Sequence, residues 1–184
     1  MSLQGWQETL ITSQVDGTAL TAAAAASAIP AAAKYTLPAN YFSIGKQLLI
    51  KFHGRLSSVI TTPGTARFDV RFGATVVFDS QAILLDTAAG HTNEAFYGEI
   101  LLTCRAIGTT GNLFGGGFLA ADNLKNVGTM PVGGLIAPLP WSGTAPAVGN
   151  NFDTTATQQV DFFFTQTVAT GSMTLHGYGL YSLN

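Results

Sequence analysis

Residues 66–72, ARFDVRF, alternate without a break: Phe68, Val70 and Phe72 fall on one side, Arg67, Asp69 and Arg71 on the other. A period of two with apolar and charged sides is the pattern of a strand that faces a core on one side and solvent on the other. Upstream, TTPG (61–64) places Pro and Gly where a turn uses them. Before it, KQLLIKFHGRLSSVI (46–60) alternates from Ile50 onward, with Ile50, Phe52 and Leu56 opposed to Lys51, His53 and Arg55. Downstream, Gly73-Ala74 permits a tight reversal into TVVF (75–78). The region is expected to be an antiparallel meander, with the charged residues of 51–55 and 67–71 on the same side of a hairpin.

The rest of the chain extends this reading. AFYGEILLTCRAIG (95–108) is a long strand with apolar residues on both faces, as expected at the centre of a sandwich or beside a subunit interface. NLFGGGFLAADNL (112–124) is another, and Gly115, Gly116 and Gly117 mark a bulge or a close backbone approach. Residues 128–151 are a Pro/Gly-rich excursion with a short edge strand around Leu135. QQVDFFFTQTV (158–168) and SMTLHGYGLYSLN (172–184) close the chain as two strands. No stretch carries a helical period with caps, and no internal repeat is present. The expected fold is all-β, an antiparallel β-sandwich. A jelly roll is the expected topology and an immunoglobulin-like sandwich its competitor.

Residues 19–40, ALTAAAAASAIPAAAKYTLPAN, invite a reading as helix, signal peptide or membrane anchor. Glu8 and Asp16 precede the alanines without any Lys or Arg, contrary to a secretory signal. Pro30 and Lys34 interrupt a stretch too weakly hydrophobic for a membrane span of about 20 residues. Pro30 biases Ile29 away from the helical region. The segment is therefore expected to be an extended arm or edge strand rather than a helix. The chain divides into an N-terminal arm (1–33) and a sandwich domain (34–184).

Only 10% of the 184 residues are charged, against about 25% in average globular chains. Such a surface suits a protein held against copies of itself or a partner. Eight basic residues and a net charge of -2 offer no stripe for phosphate contacts, which excludes nucleic acid as the expected partner. Cys104 has no partner for an internal disulfide and is expected to be a buried thiol.

The search for chemistry yields no catalytic, cofactor-binding or metal-binding set. His53, His91 and His176 are dispersed and lack a His-x-His pair; His53 and His176 would meet only if their strands were neighbours. Glu94 and Glu99 differ by an odd number along one strand and point to opposite faces, so they are not a glycosidase pair. GNLFGGG (111–117) lacks the Lys-Ser/Thr ending of a phosphate loop. Arg67, Asp69 and Arg71 admit two readings: a solvated outer face, or a subunit contact in which Asp69 of one copy meets Arg of another.

Taken as a set, residues 27–78, EILLTCRAIGTTGNLFGGG (99–117) and the ending LHGYGLYSLN (175–184) resemble structural proteins of tailed-bacteriophage virions. The ending also resembles, more weakly, the last strand of trimeric C1q- and tumour-necrosis-factor-like heads. The first resemblance implies a non-enzymatic capsid decoration (cement) protein on the outer capsid surface. Its partners would be the major capsid protein and copies of itself, a trimer in the first instance, with neither nucleic acid nor membrane. The rival it allows is a receptor-binding head or spike recognising a host glycan or protein. Under the first reading the N-terminal segment makes capsid or inter-subunit contacts, with Trp6 and Leu10 either as apolar anchors or buried against the chain's own sandwich. Under the second, loop 128–151 with Trp141 meets the receptor.

Overall fold

A computed structural model of the chain describes residues 6–125, 135–141 and 147–183. In chain order these form β1 (Gln7–Thr12), β2 (Ala25–Ser27), a single 3-10 turn (Ala31–Ala33), β3 (Tyr35–Leu37), β4 (Gln47–Ser58), β5 (Thr65–Phe72) and β6 (Thr75–Asp79). There follow β7 (Ile83–Leu84), β8 (His91–Ala106), β9 (Asn112–Ala121), β10 (Leu135–Leu139), β11 (Gln158–Gln166) and β12 (Ser172–Leu183). The front sheet has the order β1-β12-β4-β8-β9-β10. The back sheet has the order β2-β11-β5-β6, with β3 also on β11 and β7 on β5. Every pairing between them is antiparallel. The chain is an all-β antiparallel sandwich, as its alternation required.

The expected hairpin between the strands at 46–60 and 66–72 is corrected. β4 pairs with β12 and β8, whereas β5 pairs with β11 and β6, so residues 59–64 carry the chain from one sheet to the other. The physical reason lies in the apolar faces. Two strands with strong inward stripes can share a core side by side or from opposite walls, and alternation is identical in both cases. Here Phe52 of β4 and Phe68 of β5 meet across the core with ring centroids 5.2 Å apart. Lys51, His53 and Arg55 therefore point away from one side of the sandwich and Arg67, Asp69 and Arg71 from the other. The reversal at Gly73-Ala74 is a hairpin, with Phe72 opposite Thr75.

Pairing follows a nested order. β1 lies beside β12, β2 and β3 beside β11, β4 beside β8, and β5 beside β6. The β9–β10 ladder widens the front sheet outside this nest. Between the sheets, Phe52, Phe68, Phe96, Phe162 and Phe164 form one aromatic cluster, all essentially inaccessible to solvent. Phe42, Phe72 and Phe152 form a second cluster toward the end where β5 turns into β6. Each such ring removes 150–250 Å² from water, so these clusters dominate the stabilisation by burial.

Residues 6–30 run largely extended along the chain's own sandwich, up to the 3-10 turn at Ala31–Ala33. β1 pairs with β12, and the backbone N–H groups of Ser13, Gly17 and Leu20 continue along that strand to Tyr178, Leu175 and Met173, each at 2.8 Å. β2 then pairs with β11 of the other sheet. The alanine-rich stretch is thus a strap that closes one side of the sandwich. Small side chains suit it, because a Cβ on Gly17 would stand 2.1 Å from the Ala28 carbonyl oxygen. The short edge strand expected around Leu135 is β10. Residues 128–134 and 142–146 of the surrounding excursion lie outside the described residues.

Candidate functional site

The outer face of the back sheet is closed by ion pairs. Asp69 is buried; its Oδ2 accepts from Arg71 Nη2 at 2.7 Å, while its Oδ1 lies 3.3 Å from Arg67 Nε as an ion pair without a hydrogen bond. Arg67 donates from Nε to Asp79 Oδ1 at 2.7 Å and from Nη2 to the other oxygen of that carboxylate. The Asp79 bond, first among the causes, holds the Arg67 guanidinium above its ordinary range. The Arg71 guanidinium lies 3.8 Å over the Phe163 ring. One strand over, Asp161 takes Lys34 Nζ at 2.5 Å, Ser27 Oγ at 2.6 Å and the Phe162 backbone N–H at 2.8 Å. Asp161 stands opposite Arg71 in the ladder, so three cations and three anions cross the sheet from β3 to β6. The structure thus brings Arg67, Asp69 and Arg71 together, with Asp69 engaged by guanidinium groups of its own chain.

The outer face of the front sheet is finished differently. Leu49 of β4 sits between Leu101 of β8 and Tyr181 of β12, all half-buried and all outward. In the next rows Tyr97 packs near Phe118, centroids 6.1 Å apart, and Ile136 on edge strand β10 is 64% exposed. The one ion pair in this region, Lys51 Nζ to Glu99 Oε1, spans 3.1 Å. The Tyr97 hydroxyl donates to the same Glu99 oxygen. That bond pushes Tyr97 up to about 12 and holds the Glu99 carboxyl below the ordinary carboxylate range, with Lys51 adding to the second effect. Glycine keeps the surface flat: a Cβ at Gly177 would lie 2.1 Å from His53 Nε2, and one at Gly179 would lie 2.6 Å from the Tyr181 hydroxyl. Two rings rest where side chains of β12 would otherwise stand.

A third surface lies at one end of the sandwich. Gln7, Leu183, Gln47 and Thr103 are aligned across β1, β12, β4 and β8. Trp6 precedes this row, Ile44 lies just before it and Ile107 just after it, with exposures of 57%, 70% and 50%. The Gly45 N–H bonds the Cys104 carbonyl at 2.8 Å, which brings Ile44 to the end of β8 where Ile107 emerges. Leu10, in contrast, packs partly buried against the core. Trp141 does the same, and its backbone N–H bonds the Ser80 carbonyl at 2.7 Å.

The remaining candidates are dispersed. β4 and β12 are neighbours, so His53 lies beside Gly177, but His176 Nδ1 pairs with Asp16 at 3.0 Å. His91 pairs with Asp86 at 3.1 Å, a carboxyl held low by the Ala88 backbone N–H and then by His91. Among the described residues, no group of three or more His, Cys, Asp and Glu side chains comes together. Glu94 stands opposite Leu56 and Glu99 opposite Lys51, on opposite faces of β8. Cys104 is buried, and desolvation raises its thiol. Of the glycine run, Gly115 faces Phe78 of the back sheet and lies against its register partner Leu102, and Gly117 approaches the backbone of β8. Sequence reading missed the ladder through Lys34 and Asp161 because its members come from separate strands. It read apolar residues on both faces of 95–108, but not that Leu49 and Tyr181 continue that outer face across β4 and β12.

No family model matches the chain, and no curated protein matches it. Among solved structures, it is similar to the CBM2 module of the evolved Dit of Lactobacillus casei BL23 phage J-1. The match has 11% identity and a TM-score of 0.33, and covers 82% of this chain and 68% of that one.

Proposed function

We propose that this chain is a non-enzymatic structural protein of a tailed-bacteriophage virion. In this reading it decorates the outer capsid surface, binds the major capsid protein and assembles as a symmetric homo-oligomer, a trimer at the three-fold sites of a capsid lattice. The sequence resemblance of residues 27–78, 99–117 and 175–184 supplies the class. The nested strand pairing supports a jelly-roll winding. The observation that carries the role is the row of exposed apolar residues along one end of the front sheet, with Trp6 just before β1, Ile44 just before β4 and Ile107 just after β8. A patch of this kind, with a tryptophan in it, fits a contact to another protein. A decoration protein stabilises a shell by burying area on several capsid subunits, so that displacing one requires breaking contacts with all.

The test is binding to capsids that lack the protein. Trp6→Ala combined with Ile44→Ser is expected to lower occupancy about 30-fold, with circular dichroism and melting temperature unchanged. Unchanged occupancy would remove this end as the contact. Cryo-electron microscopy of the virion tests the location itself: hundreds of copies on the shell support decoration, whereas a few dozen or fewer at the tail identify the receptor-binding head instead.

A further inference from the structure

We propose that the outer face of the front sheet is buried against other copies of this chain and is the interface that builds the oligomer. The inference rests on the homo-oligomeric reading above and names the surface that reading uses. An antiparallel sheet with one solvated face normally turns polar residues outward. Here Leu49, Leu101 and Tyr181 stand side by side, flanked by Tyr97, Phe118 and the exposed edge residue Ile136. The face is also flat, because the His53 and Tyr181 rings lie over Gly177 and Gly179. Flatness lets a second sheet approach to the roughly 10 Å spacing of stacked sheets.

Size and charge agree with a copy of the same chain as the occupant. Five strands from β12 to β10 span about 24 Å at the usual strand spacing, and ten residues along β8 span about 33 Å. The product is roughly 800 Å², the share each partner contributes to a standard stable interface. At its centre, Lys51 and Glu99 are 40% and 28% exposed and of opposite sign. A two-fold axis through the face brings the Lys51 of one copy toward the Glu99 of its neighbour, so this contact builds a dimer as the symmetric oligomer in place of the trimer.

Light scattering after size-exclusion chromatography tests this with the full chain. The wild type is expected at a multiple of 19.2 kDa. Leu101→Arg and Lys51→Glu are expected to fall to the single-chain mass. Lys51→Glu with Glu99→Lys should restore the multiple, and because that swap also restores the pair within the chain, Lys51→Glu alone should keep the wild-type circular dichroism and melting temperature, which separates a lost contact from a folding defect. Gln159→Arg, exposed on the back sheet, is the control and should keep the wild-type mass. An oligomer that persists in both Leu101→Arg and Lys51→Glu overturns this surface and leaves the homo-oligomeric reading standing. A wild type that runs at 19.2 kDa overturns that reading and the inference with it.

Discussion

The two outer faces of this sandwich solve the same problem in opposite ways. Both belong to strands whose inner faces supply the phenylalanine core, and both must finish the surface with few charged residues. On the back sheet, the charges concentrate into one ladder: Lys34 pairs with Asp161, Arg71 and Arg67 with Asp69, and Arg67 with Asp79, all within the chain. On the front sheet, the Lys51–Glu99 pair sits among leucine, tyrosine, phenylalanine and glycine, with Arg55 bonded to the Asn93 carbonyl and Arg105 laid over Phe114. The first arrangement locks strands to each other and leaves little for a partner. The second leaves apolar area whose burial needs one.

The largest effect expected from a single change tests how closely the front sheet is drawn together. A Cβ on Gly117 would stand 2.0 Å from the Glu99 carbonyl oxygen and 3.0 Å from Ile100 Cα. These are backbone atoms of β8 and have no rotamer to escape into, so Gly117→Ala should destabilise the fold by about 3 kcal/mol in urea unfolding. The adjacent Gly116 has only the Leu139 carbonyl oxygen nearby, at 3.7 Å. Gly116→Ala should cost little. Equal effects of the two would show that glycine content, rather than the approach of β9 to β8, matters there.

Removing the central anion of each face separates the two designs next. Asp69→Ala leaves Arg67 and Arg71 without their shared carboxylate, and Asp69 is almost wholly shielded from solvent. Both guanidinium groups retain some water, so the loss should be about 2 kcal/mol, below the range for a fully buried pair. Glu99→Ala removes a partner from a more exposed pair and should cost the single chain less than about 1 kcal/mol. Chemical unfolding of the two variants at one pH gives the difference directly. A Glu99 effect as large as that of Asp69 would break the contrast between a locked face and an open one.

Much of this architecture was legible from residue order. Alternation at 66–72 defined β5 and its inward Phe68, Val70 and Phe72, and the odd spacing of Glu94 and Glu99 put them on opposite faces. Pro30 and the weak hydropathy of the alanines pointed to an extended segment, which is where β2 and the strap lie. What could not be read was which strands share a sheet. TTPG looks the same whether it folds a hairpin or carries the chain across the core, because the choice depends on where Phe52 meets Phe68, two residues whose pattern fits both. The ion ladder was hidden for the same reason. Lys34 and Asp161 are 127 positions apart in number and become neighbours only after β3 and β5 both join β11.

The smallest effect is the most local, and it reads the open face through its hydrogen ions. The Tyr97 hydroxyl and then Lys51 hold the Glu99 carboxyl below its ordinary value of 4.5. A group whose value is lowered on folding contributes stability above its unfolded value, and loses it as pH falls through the folded one. The gap in stability between wild type and Tyr97→Phe should therefore be greatest at neutral pH and should close in acid, with a size under about 1 kcal/mol because the pair is partly exposed. The same bond acts in the opposite sense on the phenol. Tyr97 is raised from 10.0 to about 12, so its contribution is present below pH 10 and is lost as pH rises toward the folded value. Glu99→Gln should return the Tyr97 ionisation, followed by ultraviolet absorbance, toward 10.0. If Tyr97 still ionised near 12 in that variant, burial rather than the carboxylate would be setting its value, and the face around it would be more enclosed than the apolar rows and flat rings imply.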